Sequence, residues 1–361
     1  MKNSEVLMTR VIHLAKRGKG RVSPNPLVGA LIVKNGRIIG EGYHKKAGTE
    51  HAEVVAINKA GKKVNGSTMY VNLEPCCHFG KTPPCTETIM KAGIKEVFIG
   101  AKDPNPLVSG KGIKRLRKSG IKVYSGMLED EARELNEFYF TYMEKRRPFI
   151  ILKIAQTIDG KIADIYGNSR WITNELARKK VHSLRNEVDA ILTGIGTIKK
   201  DDPELTPRLT RKIKEPLRIV LDSNLRIPQN ARIARERTII ATRLNSNKRK
   251  KKILEFMGVR IWEIQGDKNG LSISNVLKRA HKEKVLSILV EAGKRVSSSF
   301  VKEHLVDKIY IFISNKILGS GITSFESLGF KRLEDALLIE KISFKCFKEN
   351  LLIKGYVYRN H

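Results

Sequence analysis

The sequence predicts two α/β domains in tandem, and three observations lead there. The chain has 361 residues, enough for two domains at roughly 150 residues each. Short apolar runs alternate with stretches of helical period along its length. A charged segment ending in proline, Glu144-Lys145-Arg146-Arg147-Pro148, interrupts that alternation. Proline disfavours helix at the residue before it, so a helical stretch over 129–143 ends there. The domains are therefore expected at 1–146 and 147–361.

In the first half, 27–33 is a continuous apolar run, as expected for a buried strand. Residues 54–60 read as part of a helix and 68–73 as a strand. Thr82-Pro83-Pro84 looks like a helix start, with proline in the first turn. Strands over 96–100 and 122–125 complete the pattern. In the second half a strand is expected over 150–155. A helix follows in which Ala177, Val181, Leu184 and Val188 keep close to helical spacing. Further strands are expected over 190–193, 218–221, 238–242, 286–291 and 308–313. The tail, 341–358, reads as a hairpin turning at Lys348-Glu349-Asn350.

Composition bounds the function only loosely. Apolar residues make up 41% of the chain and aromatics 6%, which supports ordinary cores and argues against disorder. No apolar run approaches the roughly 18 residues that span a membrane. Glu5, Thr9, Arg10 and His13 interrupt any signal-like stretch, so a cytoplasmic protein is expected. The formal charge of +32 suits nucleic acids or anionic small molecules. Lysines are spread throughout, however, and the dense run 248–252 is expected to be a solvated face or loop.

The four cysteines are unevenly placed: Cys76, Cys77 and Cys85 cluster, while Cys346 is far away. A disulfide framework is denser and more evenly spread, so the cluster points to metal or catalysis. A catalytic zinc takes three protein ligands and keeps one position for water. His51, Cys76 and Cys85 supply one nitrogen and two thiolates. Glu53, two residues from His51, can face a metal-activated water without ligating it, the arrangement of hydrolytic base deaminases. The second cysteine lies beyond the short Pro-Cys-x-x-Cys spacing, because position 79 is Phe79. Gly80, Pro83 and Pro84 make the intervening loop, and a helix start favours a thiolate at Cys85. Cys77 is a rival ligand, disfavoured because adjacent cysteines rarely share one zinc.

Several segments together resemble the RibD family, the bifunctional deaminase-reductases of riboflavin biosynthesis. They are Asn25-Pro26-Leu27-Val28-Gly29, Gly42-Tyr43-His44, His51-Ala52-Glu53, Leu73-Glu74-Pro75-Cys76, Gly80-Lys81-Thr82-Pro83-Pro84-Cys85 and Asp103-Pro104-Asn105-Pro106. The resemblance implies a cytidine-deaminase-like three-layer first domain with one zinc, in which Asn25, His44, Lys81, Asp103 and Asn105 line the substrate pocket. Asn25 and Asp103 could instead simply cap turns.

The second half carries Lys153-Ile154-Ala155-Gln156-Thr157-Ile158-Asp159-Gly160-Lys161, Ser169-Arg170-Trp171-Ile172-Thr173, Thr193-Gly194-Ile195-Gly196-Thr197, Asp201-Asp202-Pro203-Glu204-Leu205-Thr206 with Arg208, and Val290-Glu291-Ala292-Gly293. Each is weak alone. Gly194 and Gly196 lack the third glycine of a dinucleotide fingerprint. The helix start after Glu291-Ala292-Gly293 has free amides that suit a phosphate. Together they resemble the reductase half of the same family, similar to dihydrofolate reductase. The resemblance implies NADPH on Ala155, Trp171, Thr197, Asp201, Ser223 and Gly293. It implies substrate contacts from Lys153, Ser169, Leu205, Arg208 and Glu291.

The implied activity is zinc-dependent deamination of a phosphoribosylated diaminopyrimidinone, followed by NADPH-dependent reduction of its ribosyl group to ribityl. The partners expected are a phosphorylated pyrimidine, no nucleic acid and no membrane, with a homo-oligomer favoured only because symmetric oligomers are common. The alternatives are a nucleic-acid base deaminase with a basic RNA-binding domain, a binding protein with structural zinc, and a deaminase whose second domain has decayed.

Overall fold

The computed structural model describes residues 2–79, 83–209, 214–267 and 270–358. The chain divides into two compact units, Met1–Arg146 and Arg147–His361. No helix among the described residues is long and apolar enough to cross a membrane.

The first unit runs α1 (Lys2–Lys16), β1 (Gly29–Lys34), β2 (Arg37–Tyr43), α2 (Ala52–Ala60), β3 (Thr68–Leu73), α3 (Cys85–Lys91), β4 (Glu96–Ala101), α4 (Lys111–Lys118), β5 (Lys122–Ser125), α5 (Glu129–Leu135) and α6 (Glu137–Lys145). Its sheet has the order β2-β1-β3-β4-β5. β1 is antiparallel to both neighbours, and β3, β4 and β5 are parallel. Because strand side chains alternate faces, each strand feeds two cores. Ala30, Ile32, Met69, Val71, Val97 and Ile99 pack against Ala52, Ala56, Ile89, Ile113 and Leu116 on one face. Leu31 and Tyr70 pack against Met8, Val11, Ile12 and Leu14 of α1 on the other. The result is three layers, with each fully buried aliphatic side chain contributing about 1.5–3 kcal/mol.

The apolar period over 129–143 continues without a break, yet the structure interrupts it at Asn136. The reason is a side-chain clamp. Asn136 Oδ1 accepts from Leu27 N at 2.7 Å, and its Nδ2 donates to Leu27 O at 2.9 Å. Asn136 is buried, and satisfying both amide groups of a buried loop residue outweighs one turn of helix continuity.

The second unit runs β6 (Phe149–Gln156), β7 (Lys161–Ala163), α7 (Glu175–Glu187), β8 (Ala190–Gly194), α8 (Ile195–Asp201), β9 (Leu217–Leu221), β10 (Thr238–Thr242), α9 (Lys248–Phe256), β11 (Arg260–Glu263), β12 (Gly266–Asp267), β13 (Gly270–Leu271), α10 (Ile273–Lys282), β14 (Ser287–Val290), α11 (Lys294–Lys302), β15 (Lys308–Ile313), β16 (Ile322–Thr323), β17 (Ile339–Phe347) and β18 (Asn350–Val357). Its main sheet has the order β11-β10-β9-β8-β14-β6-β15-β18-β17. The strands from β11 to β15 are all parallel, and the β17–β18 hairpin joins antiparallel to β15. Central strands such as β8 and β14 are buried along their whole length, as parallel strands covered on both faces must be. The lysine run 248–252 lies in α9, started by Asn247, whose side chain accepts from Lys250 N. Lys248, Arg249 and Lys252 are exposed, while Lys251 is half-buried and paired with Glu263, so the run is mostly solvated.

Close approach fixes the height of α2 on the sheet. A Cβ on Gly42 of β2 would lie 2.4 Å from Ala52 O and 2.8 Å from Ala56 N. Backbone atoms cannot yield cheaply, so Gly42→Ala is expected to lower stability by about 1–3 kcal/mol. Denaturant unfolding followed by circular dichroism checks this, and an unchanged midpoint would contradict it.

Candidate functional site

Three elements bring the cysteine cluster together. His51 immediately precedes α2, in extended backbone. Cys76 follows β3, and Cys85 is the first residue of α3. His51 Nδ1 lies 3.2 Å from Cys85 Sγ and 3.6 Å from Cys76 Sγ. The three donor atoms lie within 4.8 Å of one another. Cys85 N donates to Cys76 Sγ at 3.3 Å, so the start of α3 also favours negative charge on that sulfur.

The charges of this cluster fit a cation. Hydrogen bonding from Cys85, then from His51, pulls the Cys76 thiol down to about 4. The same bond to Cys76, followed by burial, holds Cys85 well above its ordinary value. Cys85 is buried and Cys76 half-buried; two thiolates this close repel, so without a dication the pair keeps one proton. A nitrogen and a sulfur on one tetrahedral zinc sit roughly 3.6 Å apart, close to both N···S separations observed. Glu53, in the first turn of α2, is buried, and its Oε2 has no hydrogen-bond partner. Burial raises its carboxyl above the ordinary value, with His51 opposing. A buried orphan oxygen beside two sulfurs and an imidazole is the position of a proton carrier. Cys77 stands apart from this set, with its Sγ directed at Leu107 O, 3.8 Å away.

The other expected pocket residues form two hydrogen-bonded walls. His44 Nδ1 is 3.0 Å from Glu50 O, and its Nε2 is 3.1 Å from Asn25 Nδ2. A carbonyl can only accept, so Nδ1 carries the proton and Nε2 accepts from Asn25. Burial, helped by nearby His51, lowers the His44 pKa against the opposing hydrogen bond to Glu50 O. On the other wall Asp103 Oδ1 accepts from Asn105 N at 2.8 Å and from Tyr139 Oη at 3.1 Å. Asn105 Oδ1 in turn accepts from Leu107 N. Asp103 and Asn105 thus do cap turns, and Asn25 does not. Burial raises the Asp103 carboxyl to about 6. Lys81 lies outside the described residues.

In the second unit a cleft of about 1400 Å³ opens at the carboxyl ends of the parallel strands, where open α/β sheets bind ligands. It is lined by Lys153, Ala155, Ser169, Trp171, Thr197, Asp201, Leu205, Arg208, Ser223, Glu291 and Gly293, bringing together every residue expected there. Gly293 precedes α11, and a Cβ on it would meet nothing within 4 Å, so the first amides of that helix are approachable. Trp171 is exposed, with the Arg178 guanidinium 4.4 Å from its ring centre.

Sequence reasoning missed the charge at the floor of this cleft. Arg185 of α7 holds Glu291 through Nε at 2.6 Å and Nη2 at 2.9 Å, a bidentate pair. Lys153 Nζ lies 3.9 Å from the same carboxylate. Burial alone would raise Glu291, but Arg185 and Lys153 together hold it below its ordinary value. Burial lowers the Lys153 pKa even with Glu291 beside it. His182, one turn before Arg185, accepts through Nδ1 from Arg208 N at 3.2 Å. The available signal was a polar stripe, Arg178, His182 and Arg185, flanking the apolar stripe of the same helix.

Comparison with known proteins matches each of the two units to a family. Residues 148–352 match the family model of the RibD C-terminal domain, and residues 1–101 match that of the cytidine and deoxycytidylate deaminase zinc-binding region. The Aquifex aeolicus riboflavin biosynthesis protein RibD is 45% identical over 349 residues, 96% of each chain. The chain belongs to the RibD family. The Escherichia coli RibD is 38% identical, covering 92% of this chain and 93% of its own. The crystal structure of a Thermotoga maritima diaminohydroxyphosphoribosylaminopyrimidine deaminase/5-amino-6-(5-phosphoribosylamino)uracil reductase superposes with a TM-score of 0.86 at 40% identity, covering 99% of both chains. Acinetobacter baumannii RibD superposes at 0.90 with 35% identity and the same coverage. The RibD architecture is a cytidine-deaminase-like domain followed by a dihydrofolate-reductase-like domain. The match over 148–352 takes the place of the basic RNA-binding domain weighed as an alternative.

Asp103 gives a pH test. Its folded pKa, about 6, lies above the ordinary 3.8, so the folded state binds more protons between those values. Its stabilising contribution is therefore present below about pH 4 and is lost as pH rises through about 6. Asp103→Asn is expected to flatten that part of the stability–pH profile, by about 2–3 kcal/mol at most. Denaturant unfolding at several pH values checks it, and parallel profiles for the two proteins would contradict it.

Proposed function

We propose that the first unit hydrolytically deaminates 2,5-diamino-6-(5-phosphoribosylamino)pyrimidin-4(3H)-one. We propose that the second reduces the ribosyl group of 5-amino-6-(5-phosphoribosylamino)uracil to ribityl with NADPH. The observation that carries the reading is the convergence of His51, Cys76 and Cys85 beside the unpartnered Glu53 oxygen, in a chain of the RibD family.

In the first unit, His51, Cys76 and Cys85 would hold one zinc, and Lys81 is assigned to the ribose phosphate. When bound, the metal supplies Lewis-acid activation of the attacking water. Glu53, as the carboxylate, takes one proton from the attacking water and passes it to the ring nitrogen, and then carries the proton of the new C–OH group to the departing amine. A C–O bond forms, a C–N bond breaks and ammonia leaves. Asn25 with His44 on one side, and Asp103 with Asn105 on the other, orient the ring.

In the second unit, Ala155, Trp171, Thr197, Asp201, Ser223 and Gly293 would hold NADPH along the cleft. When bound, the cofactor supplies the hydride. Lys153, Ser169, Leu205, Arg208 and Glu291 hold the phosphoribosyl chain in its open form, with Arg185 fixing Glu291. Lys153 and Asp201 are the polar groups assigned to the neighbourhood of the reacting ribosyl group.

The test is purified protein given the phosphoribosyl-diaminopyrimidinone, with ammonia release and NADPH loss followed together. Both are expected, one of each per substrate. Glu53→Gln should abolish ammonia release while keeping one zinc per chain, and should still oxidise NADPH when given the aminouracil. Ammonia release retained by Glu53→Gln would overturn the proton-carrier assignment, and ammonia without NADPH loss in the parent protein would overturn the reductase assignment. Replacing Cys85 with Ser is expected to lower zinc content below half, as measured by atomic absorption. Full zinc occupancy in that variant would remove Cys85 from the ligand set.

A further inference from the structure

Glu74 has no role in the chemistry described above, yet it is almost fully buried, at 3% exposure, two residues before Cys76. A buried carboxylate must be strongly compensated. Here the compensation comes entirely from backbone far along the chain. Its Oε2 accepts from Asp103 N at 3.2 Å and from Gly110 N at 2.9 Å, and its Oε1 accepts from Ile113 N at 3.1 Å.

These three amides belong to the wall that carries Asp103 and Asn105 and to the first turn of α4. Gly110, which precedes α4, has a φ of 78° and no side chain with which to cap the helix, and the first turn of α4 holds no acidic residue. Glu74 supplies both the missing acceptor and the missing negative charge. Contact is close as well. A Cβ on Gly112 would lie 2.3 Å from Pro75 O and 3.1 Å from Glu74 Oε1. The start of α4 therefore rests directly on Pro75 O and the Glu74 side chain.

We propose that Glu74 is a positioning residue for the deaminase. It locks the Asp103–Asn105 wall in register with the strand end that delivers Cys76, and so sets the fit of the pyrimidine against the site. The proposal rests on the reading that Asp103 and Asn105 contact substrate. Glu74→Gln keeps the size of the side chain but replaces one acceptor oxygen with a donor, so at least one of the three amides loses its partner. The wall then shifts while the zinc ligands and Glu53 stay. Interactions lost equally from bound substrate and transition state raise KM and leave kcat.

The experiment measures zinc content and deaminase kinetics for Glu74→Gln and, separately, for Gly112→Ala, which pushes α4 away from Pro75 O and Glu74 while leaving the carboxylate chemically intact. Assays run on the full chain at a temperature where each variant is folded, with NADPH oxidation on the aminouracil as the internal control. The expected result is one zinc per chain, unchanged reductase kinetics, and a deaminase KM raised by about tenfold or more with kcat within about threefold. If Glu74→Gln does not fold, Gly112→Ala carries the same expectation. A fall in thermal stability with KM unchanged in the folded variant makes Glu74 a purely structural residue and overturns the proposal. Loss of zinc with loss of kcat overturns it too, by placing Glu74 in support of the metal ligand. If the parent protein releases no ammonia, it is the proposed function that fails.

Discussion

Two sulfurs and an imidazole nitrogen packed within 4.8 Å of one another form an electrostatic problem that the first unit is built around. Each donor comes from a different element: the residue before α2, the residues after β3, and the start of α3. None of these could bring the donors together alone. The sheet supplies a rigid reference, and Gly42 lets α2 lie against β2 so that His51 and Glu53 sit at the right height. Protons can satisfy only part of the demand, which is why Cys76 and Cys85 are driven in opposite directions. A dication satisfies all of it at once, and metal binding of this kind adds directly to folding stability.

The second unit solves a different problem with the same architecture. Its parallel strands end at one edge of the sheet, so residues from distant segments meet there. Glu291 at the end of β14 and Lys153 on β6 are brought side by side because those strands are neighbours in the sheet. Arg185 reaches the pair from α7. A buried carboxylate held by two cations is rigid, and a rigid charged floor suits orientation of a phosphoribosyl chain better than loops would. The helix start at Gly293 lies in the same cleft and offers amides rather than side chains.

Much of this was legible in the sequence because motif residues carry their chemistry locally. His51, Glu53, Cys76 and Cys85 announce a metal by residue type and spacing. The parallel strands of the second unit show as short apolar runs. The parts that were not legible depend on partners far away in the chain. The helical period over 129–143 gives no sign that Asn136 leaves the helix to clamp Leu27, 109 residues earlier. Glu74 reads as one letter of a motif, and its partners are amides 29, 36 and 39 residues on, which have no side-chain signature. Arg185 was hidden because the apolar stripe of α7 was the stronger signal. The basic run 248–252 shows the converse: a charge pattern that catches the eye and forms a mostly solvated helix start.

The central claim is that one imidazole and two thiolates grip a zinc and leave room for water. X-ray absorption at the zinc edge of the purified protein tests it most directly. Two sulfurs at about 2.3 Å and two light atoms at about 2.0–2.1 Å, one from His51 and one from solvent, are expected. A third sulfur in the shell would bring Cys77 into the site, close it with protein atoms and contradict the account.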